Sequence, residues 1–298
     1  MRRAQSIVGE NELLLVAEGL IYWQNVNVGI VAVTQYEEYL SKADSCAARV
    51  FALNPESSKG YGLRGAIRNN RADSAGGMED FKKALALDPN DPEALLWLGY
   101  GYAVAGRMSL ARALMERLQR VDPLTAINLG MYGMIEMYDG CYDEALRWTQ
   151  RAVDIDPANP TQRMLHALML AANGRRDEAI VIFDAVARET PLIAWTQLAP
   201  AMACALRGDR EGVRRAITPE LRAAAWWDDI FSRWAADCFA LVNERDSALD
   251  FLERAVDFGY INSPFLSQHE PFLANIRGEP RFVRLMERVH RGWEAFEG

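Results

Sequence analysis

The sequence predicts an all-α fold, a right-handed superhelical solenoid of antiparallel helix hairpins. Three observations predict it: prolines at a fixed interval, small residues in register with them, and bulky apolar residues at helical spacing in between. Pro55, Pro89, Pro123, Pro157 and Pro191 recur every 34 residues. A fixed period of this length is the mark of stacked supersecondary units and outranks any reading of single elements. The 298 residues, half of them apolar and a quarter charged, suffice for a sizeable core.

Each proline closes a helix. It lacks an amide hydrogen and its ring clashes with the preceding turn, so the helix stops at Asn54, Asp88, Asp122, Asp156 or Thr190, the residue before it. Seventeen positions upstream of the later prolines stand Ala72, Gly106, Gly140 and Gly174. Glycine enters the left-handed conformation that ends one helix and starts a tight turn, so each unit reads helix, turn, helix.

Twelve positions upstream stand Ala43, Gly77, Ala111, Ala145 and Ala179, and 24 upstream Val31, Gly65, Gly99, Gly133 and Ala167. Small side chains in these columns let two helix backbones approach. Leu98, Tyr102, Met115 and Leu118 in one unit, and Leu165, Leu170, Ile182, Phe183 and Val186 in another, supply bulk that one hairpin cannot cover alone. Stacking hairpin on hairpin buries it and leaves a concave and a convex face.

Stretches such as Ala94-Leu95-Leu96-Trp97-Leu98-Gly99-Tyr100-Gly101-Tyr102 and Phe81-Lys82-Lys83-Ala84-Leu85-Ala86-Leu87-Asp88-Pro89 resemble tetratricopeptide repeats. The resemblance spans residues 24–208, with a first unit that departs from the pattern at Glu38. Residues 1–23 are expected to form an N-terminal helix that caps the solenoid, and 209–298 a degenerate repeat with a C-terminal helical cap. Register is lost at Thr218-Pro219 and returns in Ala236, Ala248 and Ala255. In the tail, Pro280 suits a first helical position, and Phe282, Leu285, Met286, Val289, Trp293 and Phe296 trace one helix face. Its Pro264-Phe265-Leu266, Pro271-Phe272-Leu273 and Arg277-Gly278-Glu279-Pro280-Arg281-Phe282 segments are similar to the ends of repeat arms in bacterial regulators. In those proteins the repeats follow a kinase, nucleotide cyclase or DNA-binding domain.

Charge and composition exclude several function classes. With 33 Lys plus Arg against 41 Asp plus Glu, the net charge is −8, which repels phosphate backbones and anionic lipid. No apolar run approaches the ~18 residues of a membrane helix. The stretch Leu13–Ala17 is flanked by Glu10, Glu12 and Glu18, so the opening Met1-Arg2-Arg3 begins no signal peptide. Cys46, Cys141, Cys204 and Cys238 form no CxxC or Cys/His cluster, and a reducing cytoplasmic setting is expected.

No catalytic, metal or cofactor motif stands up to its context. Gly60-Tyr61-Gly62-Leu63-Arg64-Gly65 spells GxGxxG, but it follows an inter-repeat turn where a dinucleotide loop must follow a strand. His166, His269 and His290 are the only histidines; His166 belongs to a repeat helix, and Glu287 and His290 lack the second copy that a helical-bundle metal site requires. In Trp226-Trp227-Asp228-Asp229 the adjacent aspartates point about 100° apart on a helix, so they read as a helix start. The chain is expected to be neither an enzyme nor a cofactor carrier.

Its partners are expected to be proteins. In the architecture that the resemblance implies, the first helix of each hairpin lines the concave side. That face collects Leu96, Tyr100 and Val104; Met134, Met137 and Tyr138; Met164 and Leu168; and Trp195, Leu198 and Met202. Methionine adapts its shape and aromatic residues supply area with a polar handle, so this set predicts a groove for an apolar peptide or helix. Tetratricopeptide domains that grip acidic chaperone tails use a basic, asparagine-rich face, and here only Asn69 and Asn70 are of that kind. The reading is a scaffold or adaptor; the alternative is the sensing arm of a bacterial signalling protein without its effector domain. A homo-oligomer is a further use of the same surface.

Overall fold

The computed structural model describes residues 10–189 and 195–296, with Trp195 in its backbone only. Among the described residues are sixteen α-helices and no strand, an all-α helical repeat solenoid. The chain divides into two units, residues 1–98 and 99–298, each with its own packing.

The first unit holds α1 (Glu12–Asn27), α2 (Tyr36–Leu53), α3 (Ser58–Asn70), α4 (Ser74–Leu87) and the opening of α5 (Pro92–Val104). Asn11 starts α1 by accepting the Leu14 N–H at 3.0 Å. This helix runs through residues 23 and 24, where the sequence suggests a boundary, and pairs with α2 as one hairpin. A long connection carrying Gly29 at φ +64° replaces the usual tight turn. Glu38, which breaks the repeat column, sits beside Glu37 in the first turn of α2, where the helix dipole favours acids. In the next hairpin a Cβ on Gly65 would come 3.0 Å from the Gly77 carbonyl oxygen. Gly60 through Gly65 are helical, part of α3, so the GxGxxG spelling forms no phosphate loop.

In the second unit α6 (Met108–Val121), α7 (Ala126–Tyr138), α8 (Tyr142–Ile155), α9 (Pro160–Ala172) and α10 (Arg176–Glu189) continue the period. Gly106, Gly140 and Gly174 take φ of +71°, +75° and +78°, as their column requires, and Ala72 makes the equivalent turn in the first unit at +60°. The small columns meet across each hairpin: a Cβ on Gly133 would come 2.8 Å from the Ala145 carbonyl oxygen. Thr190 and Pro191 lie outside the described residues. Past Gly208 come α11 (Ala199–Arg207) and two short helices, α12 (Arg210–Ala216) and α13 (Pro219–Ala225). The pair α14 (Asp229–Leu241) and α15 (Arg245–Asp257) is the degenerate hairpin. A π turn at Phe265–His269 and a 3-10 turn at Pro271–Ile276 lead to α16 (Pro280–Ala295). Pro280 is its first residue, and it buries Phe282, Leu285 and Val289.

Candidate functional site

The face predicted as a groove is closed by the chain itself. Leu96, Tyr100, Val104, Met134, Met137, Tyr138, Met164, Leu168, Leu198 and Met202 are all between 0 and 8% exposed. The side chain of Trp195 lies outside the described residues. Within the second unit what covers the face is plain. The Tyr100 hydroxyl donates to Asp229 at the start of α14. The Tyr138 ring meets Tyr260 edge-on at 5.5 Å and Phe265 at 4.7 Å. Met202 sulfur accepts from the Cys238 thiol at 3.1 Å.

The segment after α15 is pinned along the repeats. The Ile261 N–H donates to the Val104 carbonyl and the Asn262 amide to the Ala103 carbonyl, both at 2.9 Å. The Tyr142 hydroxyl donates to the His269 carbonyl. Arg107 donates to the carbonyls of Trp293 and Phe296 at 2.7 and 2.6 Å. Gly106 and Gly140 serve twice here, since a Cβ on either would also press on Trp293 or His269. Apolar character at 3.6-residue spacing thus marked a face that is buried, but it could not say that its contacts come from 36 to 129 residues further along the chain.

At the centre of this contact is a buried ionic cluster. Arg233, on α14, donates to Asp237 at 2.9 Å and to Glu270 at 2.6 Å, and all three side chains are at most 1% exposed. The guanidinium lies between the Tyr138 and Phe265 rings, 5.5 and 5.6 Å from their centroids. Burial and mutual repulsion hold the Asp237 carboxyl well above the ordinary range, while Arg233 opposes the shift. Burial raises Glu270 in the same direction and Arg233 again opposes it. Burial pushes the Tyr138 hydroxyl up to about 12. Perturbed acids of this kind also occur in active sites, but these present no open face to a substrate.

The other motifs have local duties. Asp228 caps α14 by accepting the Phe231 N–H at 2.7 Å, which settles the paired aspartates as a helix start. Both are partly buried; burial first, then the charge of Asp229, raise the Asp228 carboxyl to about 7. His166 is buried with its Nδ1 3.2 Å from the Thr149 hydroxyl, and burial lowers its pKa. His290 faces Glu294 at 3.3 Å. Among the described residues no three His, Cys, Asp or Glu side chains gather as a metal site, and no helix is long and apolar enough to cross a membrane.

An open recess occurs on the equivalent face of the first unit. Val16, Leu20 and Trp23 of α1, Leu63 and Ala66 of α3, and Trp97 of α5 form the apolar floor of a small recess that opens to solvent. Trp23 and Trp97 stand edge to face, with centroids 5.7 Å apart. Each indole N–H is engaged: Trp23 donates to Asn70 at 2.6 Å and Trp97 to Glu93 at 3.2 Å. Lys59 pairs with Asp91 at 3.0 Å on the rim, Asp91 caps α5 through the N–H groups of Glu93 and Ala94, and Glu93 is exposed. The sequence pattern did not mark this recess: bulky side chains at the inner-face spacing mark a groove, and here the face carries Gly62 and Ala66.

Comparison with known proteins supports the repeat fold. Residues 66–128 match the tetratricopeptide-repeat family model. A thermophilic tetratricopeptide-repeat protein of Thermus thermophilus superposes with a TM-score of 0.54 at 18% identity, over 65% of this chain and 98% of its own. A tetratricopeptide-repeat protein of Parabacteroides merdae does so with 0.50 at 13%, over 92% of this chain and 99% of its own. The APC/C hetero-tetramer Cut9–Hcn1 gives 0.54 at 14%, over 92% of this chain and 52% of the matched one. Among curated proteins none matches in sequence.

Proposed function

We propose that this tetratricopeptide-repeat protein is a non-catalytic cytoplasmic scaffold that takes a protein segment, a peptide or a helix, on the inner faces of its first helices. The observation that carries the reading is the occupied face of the second unit. There Tyr100 meets the start of α14, Tyr138 meets the irregular apolar stretch around Tyr260 and Phe265, and Met134 and Met137 are buried. The same chemistry that holds this stretch in cis, aromatic and methionine side chains backed by a few main-chain hydrogen bonds, suits a partner segment in trans.

The test is affinity capture with the full chain, followed by reconstitution of each captured protein with the purified chain. A binary complex that forms from pure components, measured by calorimetry, is the expected result. A chain that retains no protein beyond the bead control overturns the scaffold reading.

A further inference from the structure

We propose that the buried cluster of Arg233, Asp237 and Glu270 is a proton-operated latch, which holds residues 260–276 on the inner face of the second unit and loosens them when a proton leaves. The latch goes beyond the scaffold reading and does not depend on it.

The cluster joins two parts of the chain, with Arg233 and Asp237 on α14 and Glu270 between the π turn and the 3-10 turn. One guanidinium faces two carboxylates. Its Nη1 donates to both, at 2.9 and 2.6 Å, so the two acids lie against each other. Among the described residues the Nε and Nη2 of Arg233 and the Oδ1 of Asp237 have no hydrogen-bond partner, so no bidentate fork compensates either acid. Arg277 also faces Glu270, but its Nη2 donates to the main-chain carbonyl at 2.6 Å and not to the carboxylate. With both acids ionised the three side chains would carry one net negative charge where each is at most 1% exposed. Water cannot screen it there, and a proton held by the two acids removes both the charge and their repulsion.

The surrounding groups leave the titration to these acids. Tyr100 on α5, Tyr138 on α7, Tyr142 on α8 and Tyr260 are all pushed up by burial and keep their protons. Burial does the same to Cys238 beside Asp237 and to Cys204 on α11. Asp228 and Asp229, one turn before Arg233, form a separate acid pair. Burial holds the Asp237 and Glu270 carboxyls above their ordinary range, against the pull of Arg233. Once Glu270 swings into water, the proton leaves at the ordinary carboxyl pKa of about 4. The latch is therefore complete below about pH 4 and weakens about tenfold per pH unit above it, until the closed cluster itself ionises. Residues 260–276 meet the repeats through side chains and single main-chain bonds, such as Ile261 to Val104, and can lift without unwinding a repeat helix. Lifting takes the Tyr260 and Phe265 rings off Tyr138 and opens the face.

Hydrogen exchange of the full chain, read by mass spectrometry from pH 5 to 8 and corrected for the intrinsic rate, tests the latch. Protection of residues 260–276 should fall at least about tenfold over this range, while α8 and α9 of the same unit keep theirs. Glu270→Gln and Asp237→Asn each leave one guanidinium facing one carboxylate and should flatten the fall. Asp228→Asn, in the neighbouring pair, should retain it. Unchanged protection in the wild type overturns the latch. So does a fall shared equally by α8 and α9, because the unit then unfolds as a whole and the cluster is ordinary core. A fall that persists in both amide variants, or that vanishes in Asp228→Asn, puts the proton elsewhere and overturns it as well. Should the amide variants fail to fold, the local fall in the wild type and its survival in Asp228→Asn still decide.

Discussion

The inner faces of the two units come from one repeat pattern and meet different fates. In the second unit the columns carry Tyr100, Met134 and Leu168, all buried, and the start of α14 lies on Tyr100. In the first unit the corresponding positions are Gly62 and Ala66, and the face is left with a recess. An apolar residue on a repeat's inner face is therefore no sign of a free groove. Missing bulk is no sign of one either: Gly130 stands in the Gly62 column and is packed by Gln162 and Leu165, whereas a Cβ on Gly62 would meet nothing within 4 Å.

The largest expected effect tests the sealed face. Tyr100→Ala with Met137→Ala removes two buried side chains, each expected to cost about 2 to 5 kcal/mol through lost transfer energy and a residual cavity. The pair should lower unfolding free energy by about 5 kcal/mol or more, read by chemical denaturation. A double variant as stable as the wild type would mean that the covering segment contributes nothing and that the face behaves as an open groove.

The extent to which this was legible in the sequence follows from the range of the contacts. Proline, glycine and small-residue columns report interactions within a hairpin, such as Gly133 against Ala145, and these appear as a 34-residue period. Tyr100 to Asp229 spans 129 residues and Arg233 to Glu270 spans 37, and neither separation belongs to that period. The closing of the second unit was thus invisible, although Pro280 and the Phe282, Leu285, Val289 stripe announced its last helix. The first hairpin was blurred for another reason: its long connection through Gly29 displaces α1 from the common register. Small residues in the inner columns do not reveal the recess either, since Gly130 stands in the same column as Gly62 and is packed.

Two ion pairs sharpen the contrast. Glu270→Ala leaves Arg233 buried with one carboxylate fewer and should cost about 3 to 5 kcal/mol, the usual penalty for breaking a buried pair. Lys59→Ala in the first unit removes a half-exposed ammonium from Asp91, which keeps its two backbone hydrogen bonds, and should cost about 1 kcal/mol or less. Equal losses in denaturation would refute the assignment of one as core and the other as rim.

The second unit should also carry a pH signature. The Asp228 carboxyl, raised to about 7 by burial and by Asp229, keeps a proton in the folded chain that the unfolded chain releases above about pH 4. Its contribution to stability is therefore full below pH ~4 and is lost as the pH rises through about 7. Asp229, also raised by burial, shares the titration, and the Tyr100 hydroxyl that donates to it stays protonated throughout. Asp228→Asn keeps an oxygen for the Phe231 N–H, since asparagine caps helices as well as aspartate does, and removes the charge. Melting temperature measured from pH 4 to 8 should fall more gently in the variant; an unchanged slope would place the titrating group elsewhere.

The smallest effect separates two glycines three residues apart on α3. At Gly62 a methyl would enter open space, so Gly62→Ala should stabilise the chain by about 0.5 to 1 kcal/mol, the gain from replacing glycine within a helix. At Gly65 the same methyl would come 2.9 Å from the Phe81 ring and 3.0 Å from the Gly77 carbonyl oxygen, which belongs to the backbone of α4 and cannot swing away. Gly65→Ala must push α3 and α4 apart and should destabilise by about 1 to 3 kcal/mol despite its better helix propensity. Opposite signs in thermal unfolding are the expected outcome. If both variants gain stability, the close column does not bring these helices into contact; if both lose it, Gly62 faces packed atoms and the inner face of the first unit is as full as that of the second.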